Sequence, residues 1–175
     1  MSITPPLFPE HSGATFSKCR KYRYKLWRQW NPDLPTVCFV LMNPSTADEV
    51  DDDPTVAGCQ VRLSHWSEQY GGVVVVNVFA WRETNSELLP SLIGEGVDIV
   101  GDDNDAAIVE AAKQSALVVC GWGNPGNLLG RGDQVLELLR SNQIDAFAFA
   151  KNKNGSPKHP LYVAHATQPR PIASL

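Results

Sequence analysis

The chain has 175 residues, is 43% hydrophobic and carries a formal net charge of -4, enough apolar content for one substantial core in a single domain. The acidic balance excludes broad, sequence-blind adhesion to nucleic acid, because that affinity comes from basic residues displacing counterions from phosphates. Cys19, Cys38, Cys59 and Cys120 form no Cys-x-x-Cys pair, which favours reduced thiols over disulfides or zinc ligands.

At the start, Met1 to Thr15 lack the basic region and apolar stretch of a secretory signal. No apolar run is long enough to span a bilayer, so a soluble cytoplasmic protein is expected, with no membrane partner and with residues 1–16 loosely ordered. From Lys18 to Arg28 there are six basic residues and no acidic one. Alternation puts Tyr22, Tyr24 and Leu26 on one face of a strand and Lys21, Arg23 and Lys25 on the other. Two readings stand side by side: an edge strand whose charges are solvated and deter pairing, or a basic strip in which Arg23 binds phosphate.

Thr36 to Met42 reads as a buried strand that stops abruptly at Asn43-Pro44. After the loop Asn43-Pro44-Ser45-Thr46-Ala47-Asp48, Asp53 is placed to cap a helix with Pro54 at its first position. Val56, Cys59, Leu63 and Trp66 recur at helical spacing, and the helix is expected to end near Tyr70, at Gly71-Gly72. Val73 to Val76 is the strongest strand signal and runs into Asn77. A looser stretch from Glu83 to Val100 leads to a helix from Ala106 to Gln114. A second buried strand, Ala116 to Cys120, delivers the chain into Gly121-Trp122-Gly123. A helix from Gln134 to Arg140 and a strand from Ala146 to Ala150 follow. Strands alternating with helices imply an α/β fold with a mostly parallel sheet covered on both faces. Ligands of such sheets bind outside the carboxyl ends of the strands.

Three polar loops emerge directly from buried strands and would meet at one edge. The Asn43 loop is either part of a site or a turn in which the side chain bonds its own backbone. Gly121 and Gly123 permit close approach of a ligand while Trp122 offers a stacking surface, or the segment is a glycine turn with Trp122 in the core. Neither the P-loop nor the dinucleotide fingerprint matches. The acidic groups Asp48 to Asp53 and Asp102, Asp103 and Asp105 are better read as solvated loops with a helix cap than as magnesium ligands. No metal or cofactor is therefore assigned. His159, between Lys158 and Pro160, is either a proton-transfer or anion-stabilising group or a surface histidine before a rigid proline.

Several segments together resemble a bacterial and phage family catalogued as domain of unknown function 1643. They are Tyr22-Arg23-Tyr24, Leu41-Met42-Asn43-Pro44-Ser45-Thr46-Ala47-Asp48, Asp53-Pro54-Thr55, Asn77-Val78-Phe79-Ala80, Gly101-Asp102-Asp103-Asn104-Asp105, Gly121-Trp122-Gly123 and Lys158-His159-Pro160-Leu161-Tyr162. More distantly, the chain is similar to the uracil-DNA glycosylase superfamily. That likeness implies a three-layer α/β/α fold with a mostly parallel central sheet. It further implies that Asn43-Pro44 orients the attacking water, that Asn77 reads the base edge and that His159-Pro160 stabilises the departing base. Leu161-Tyr162 stands where that superfamily usually has Ser-Pro.

These readings converge on a nucleobase- or nucleotide-recognising hydrolase of N-glycosidic bonds. Asn43 and His159 are its catalytic residues. Pro44, Ser45, Thr46, Asn77, Arg82, Gly121, Trp122, Gly123 and Lys158 bind the substrate, and Arg23 binds its phosphate. The expected partner is a nucleobase, a nucleotide or nucleic acid. A non-catalytic nucleotide or single-strand binding module and a metal-assisted phosphate hydrolase are the alternatives.

Overall fold

The computed structural model describes residues 11–66 and 68–175. Its strands are β1 (His11–Phe16), β2 (Arg23–Gln29), β3 (Thr36–Leu41), β4 (Gly72–Asn77), β5 (Leu117–Cys120), β6 (Phe147–Ala148) and β7 (Arg170–Pro171). Its α-helices are α1 (Pro54–Leu63), α2 (Leu89–Gly94), α3 (Asn104–Lys113) and α4 (Arg131–Ser141). The strands form one seven-stranded sheet in the order β1-β2-β4-β3-β5-β6-β7.

The sheet is mixed, which corrects the expectation of a mostly parallel one. The pairs β3–β4, β3–β5 and β5–β6 are parallel, whereas β1–β2, β2–β4 and β6–β7 are antiparallel. Alternation of strand and helix produces parallel neighbours only from β3 to β6, where a crossover returns the chain to the same end. β1 and β2 precede the first helix and β7 follows the last, so they add to the edges without crossovers. Residues 11–16, expected to be loosely ordered, form β1, while residues 1–10 lie outside the described part.

β2 is also not an edge strand. It lies between β1 and β4, and Arg23, expected on its solvated face, is buried, as is Arg28. The alternation breaks at a register shift, where Thr15 lies opposite Lys25 but Phe16 lies opposite Arg23. Arg28 is held by the Asp52 carboxylate at 2.8 Å and by the carbonyls of Asp48 and Asp51 at 2.8 and 3.1 Å. The acidic loop is thereby folded back over β2.

Register places Val37 to Leu41 opposite Val73 to Asn77, so alternate side chains enter two cores. On one face Val37, Phe39, Leu41, Val73 and Val75 pack with Val56, Cys59 and Leu63 of α1. On the other, Cys38, Val40, Val76, Val118 and Cys120 pack with Ile108 of α3 and Val135 and Leu139 of α4. Truncating a side chain such as Phe39, fully buried among these, costs about 3–5 kcal/mol by transfer and cavity terms.

α1 starts as its sequence directs: the Asp53 carboxylate accepts from the Val56 N–H at 2.9 Å, and Pro54 opens the first turn. It stops at Leu63 rather than near Tyr70, because Ser64, His65 and Trp66 tighten into turns that bond three residues back. Trp66 remains buried all the same. The stretch from Glu83 to Val100 holds the short α2, whose Leu89 anchors it in the core. No helix among the described residues is long and apolar enough to cross a membrane.

Candidate functional site

The adjacent parallel strands β3 and β5 send their outgoing chains to opposite faces of the sheet: β3 leads to α1 on one face, β5 to α4 on the other. Where neighbouring loops part in this way, a crevice opens above the carboxyl ends of the strands. A cleft of about 540 Å³ lies there. Asn43 and Ser45 line it from the β3 side, Trp122, Gly123, Asn124 and Pro125 from the β5 side, and Lys158, His159, Leu161 and Tyr162 from the late loop. A larger groove of about 780 Å³ opens at the amino end of β6 along α4 and β7. It gathers none of the polar loops that follow the strands, so the first cleft is the candidate site.

Asn43 is held by the nitrogen end of its amide. Its Nδ2 donates to the Pro44 carbonyl at 3.1 Å and to the Glu83 carbonyl at 2.7 Å. Two carbonyl neighbours fix which end of the amide is nitrogen, since only N–H can donate to them. Oδ1 accepts no hydrogen bond from any described residue and is the end left for a ligand or water. The Glu83 N–H in turn donates to the Pro44 carbonyl at 3.0 Å, so the loops leaving β3 and β4 are sewn together.

His159 caps the short 3-10 turn Pro160–Tyr162, its Nδ1 accepting from the Leu161 N–H at 3.3 Å. A ring nitrogen that accepts carries no proton, so the neutral ring is protonated at Nε2. Burial holds the imidazole below its ordinary pKa, and the Asp53 carboxylate opposes that shift without overcoming it. At neutral pH the ring is therefore an uncharged Nε2–H donor.

The turn that carries His159 is gripped from below by Arg62 of α1. The guanidinium donates to the carbonyls of Pro160, Val163 and Ala164 at 2.7, 2.8 and 2.7 Å and stacks over Phe149 at 4.4 Å. Gly121 supplies clearance on the other side, since a Cβ there would stand 2.8 Å from Pro160 Cδ. Gly123 takes a positive φ of 69° and lines the cleft.

The remaining expected site residues divide. Ser45 lines this cleft and a neighbouring one, and Thr46 and Arg82 line only the neighbour. Pro44 is buried and serves through its carbonyl. Asn77 is 2% exposed and does not line the cleft; its Oδ1 accepts from Arg23 at 3.3 Å, and its backbone carbonyl accepts from the Asn104 amide at 2.9 Å. Arg23, also 2% exposed, spends its two terminal nitrogens on the Ala47 carbonyl and on Asn77, and burial lowers its pKa to about 10. A group so enclosed is not available to phosphate from solvent, which corrects its assignment as the phosphate ligand.

Trp122 is 1% exposed and is a wall of the cleft rather than a stacking platform. Its indole lies against Gly126 and Gly132, where a Cβ would come within 2.2 and 2.7 Å of it. The exposed aromatic surface at the rim is Tyr162, 75% exposed, with its ring 6.1 Å from that of His159.

Thr55, Glu83, Thr84, Ser86, Asn124, Asn152, Leu161 and Tyr162 line the cleft without having been given a role from the sequence. Glu83 is the carboxylate among them. Its Oε1 accepts from the Asn85 N–H at 3.0 Å. The signal available was a carboxylate a few residues beyond a buried strand, as weak as any loop glutamate. The acidic loops are committed elsewhere: Asp48 accepts from the Val50 and Asp51 N–H groups, Asp52 holds Arg28 and Gln60, and Asp105 holds Arg131. Among the described residues no group of three or more His, Cys, Asp or Glu side chains is arranged to hold a metal ion.

Fold and cleft together define an α/β protein with a mixed sheet and a polar crevice at the carboxyl ends of its parallel strands. The chain belongs to the family described as protein of unknown function (DUF1643), whose model matches residues 23–161. No curated protein matches the chain, and no solved structure does.

Proposed function

We propose that the protein hydrolyses an N-glycosidic bond of a nucleotide or of an unstacked nucleobase in nucleic acid, in the cleft between the β3 and β5 loops. The observation that carries this reading is the pairing of Asn43 and His159 in one cleft, each with its inner polar atom tied to backbone and its outer one left for substrate. Asn43 Oδ1 orients a water for attack on the anomeric carbon. The carbon–nitrogen bond breaks, its electron pair leaves with the base, and Nε2–H of His159 donates to the developing anion. Glu83 accepts the proton that the water releases. A neutral donor suits this role, because it need not lose a proton to be active at pH 7.

The order of Asn43-Pro44 and His159-Pro160 along the chain is similar to the uracil-DNA glycosylase site plan and supports a glycosylase-like kinship. In this chain the base rests against Tyr162 at the rim rather than on Trp122. Asn77 reaches the substrate only through Arg23 and the loop it supports. A base inside a stacked duplex is out of reach, so the substrate is single-stranded, extruded or free. Lys158, Ser45 and Gly123 contact its polar edges.

Free base is measured after incubation with a panel of nucleoside 5′-monophosphates and of single-stranded oligonucleotides bearing normal and deaminated bases. Release that is lost in Asn43→Ala while the variant keeps its fold supports the assignment. Release unchanged by Asn43→Ala, or no release from any substrate, removes it.

A further inference from the structure

A second cleft of about 450 Å³ adjoins the first and shares Ser45, Glu83 and Thr84 with it. Arg20, Lys21, Thr46, Trp81 and Arg82 complete its walls. We infer that this basic cleft is a phosphate subsite, taking the phosphomonoester or pyrophosphate group of a ligand whose ring occupies the first cleft. The inference deepens the proposed function and rests on it for the identity of the ring.

Backbone bonds create the cluster. Tyr22 bridges to Trp81, and the Arg82 N–H donates to the Lys21 carbonyl at 2.8 Å, so two distant segments lie side by side with their cations together. The Glu83 N–H bond to Pro44 brings in a third segment with the Ser45 and Thr46 hydroxyls. Arg20 and Arg82 both sit over the Phe16 ring, 4.0 and 4.8 Å from its centroid, and Arg82 Nη1 donates to the Arg20 carbonyl at 3.3 Å. Two guanidinium groups are thus gathered at one aromatic ring, and a dianion can take bonds from both.

Charge accounting favours an anion. Among the described residues neither Lys21 nor Arg82 makes an ion pair, and Arg82 Nε is buried without a partner. Arg20 is held by Glu49 through two bonds, at 2.7 and 3.0 Å, but both side chains are exposed, so solvent screens the pair and an anion competes with it. The Asp51 and Val50 N–H groups hold the Asp48 carboxyl below its usual range, Arg82 and Arg20 adding less, and the same N–H groups already occupy its oxygen. Glu83 lines both clefts, so what directs a ligand's phosphate to the second is its three cations, Arg20, Lys21 and Arg82, against Lys158 alone in the first. Fork-shaped guanidinium groups, a lysine and hydroxyls are the donors that phosphate oxygens take. Buried Arg23 lies behind this cleft and contributes to its potential alone.

The test is calorimetric titration of the full chain with inorganic pyrophosphate, and with nucleosides against their 5′-monophosphates. Losing one charged hydrogen-bonding partner should weaken pyrophosphate about tenfold in Lys21→Gln and in Arg82→Gln, in line with the strength of bonds to ionised groups. Lys21 is exposed and its replacement leaves the fold intact; Lys25→Gln, on the same strand region but outside the cleft, should change nothing. Absence of pyrophosphate binding, or equal weakening by Lys25→Gln, overturns the subsite. Oligonucleotides with and without a 5′-phosphate identify the source: tighter binding of either phosphorylated probe than of its bare counterpart supports the subsite, and the tighter of the two classes names the ligand. Pyrophosphate binding that needs Lys21 and Arg82, without base release from any substrate, keeps the subsite and removes the glycosidic reading. Base release that is equally efficient from nucleosides and nucleotides, with no pyrophosphate binding, does the reverse.

Discussion

The Asn43 amide donates to the Glu83 carbonyl at 2.7 Å across 40 residues of sequence, and this bond joins the loop leaving β3 to the loop leaving β4. Replacing the amide by a carboxylate sets an oxygen against two carbonyl oxygens. Asn43→Asp should therefore lose about 1–3 kcal/mol at neutral pH, the cost of leaving buried acceptors unpaired. A carboxyl in that place has a raised pKa in the folded state, since only its protonated form can donate. The variant's stability should be greatest below the ordinary aspartate pKa and fall as pH rises through the raised value. Urea denaturation at several pH values checks the sign.

Arg62 holds the His159 turn through three backbone carbonyls. Arg62→Met keeps much of the volume and strands those acceptors, so a loss of about 1–3 kcal/mol for each acceptor left buried is expected. Amide hydrogen exchange should show faster exchange at residues 161–163 beyond the global effect. Protection unchanged there would separate Arg62 from the site.

Gly121→Ala directs a methyl at Pro160, with 2.8 Å available. The backbone neighbours must shift, at a cost of about 1–3 kcal/mol typical of overpacking. Ligand affinity should fall further than stability does, because the displaced residue is next to His159. Parallel denaturation and titration of the variant separate the two effects.

The pKa of His159 is depressed by burial. For a histidine the depressed value means that the unfolded chain takes up a proton first. Stability is then level above about pH 6.5 and declines as pH falls from there through the folded pKa. Asp48 and Glu49, whose pKa values are also lowered, lose their contributions only as pH falls below the ordinary carboxylate range, so the windows are distinct. His159→Gln should flatten the decline just below pH 6.5 and leave the acid limb in place.

Thiol chemistry gives an independent check on the core. Cys38, Cys59 and Cys120 are buried free thiols; burial raises the first two to about 12 and Cys120 higher. Cys19 is exposed, and the Ser17 hydroxyl lowers its pKa. A thiol reagent should modify Cys19 rapidly in the native protein and reach the other three only on unfolding.

Much of this architecture was legible residue by residue. Asn43-Pro44 ended a buried strand, Asp53-Pro54 opened a helix, and the run Val73 to Val76 lay at the centre of the sheet, because each is a local signal with a local cause. What eluded the sequence was set by distant partners. Alternation put Arg23 on the solvated face of β2, but neither the register shift against β1 nor the β3–α1 loop whose Ala47 carbonyl it meets is a local signal. The parallel sheet implied by strand and helix alternation held only between β3 and β6, since β1, β2 and β7 pair without crossovers. Glu83 joins the cleft by backbone bonds to Asn43 and Pro44 that no spacing rule contains.

The most direct measurement is an amide chemical-shift titration of the full chain with nucleoside 5′-monophosphates. The account expects saturable shifts confined to residues 42–46, 83–86, 122–125 and 158–162, with a second set at Arg20, Lys21 and Arg82 from the phosphate. Shifts centred instead on Leu136, Phe147 and Ile172 in the groove along α4 and β7, or no shifts at saturating nucleotide, would contradict it.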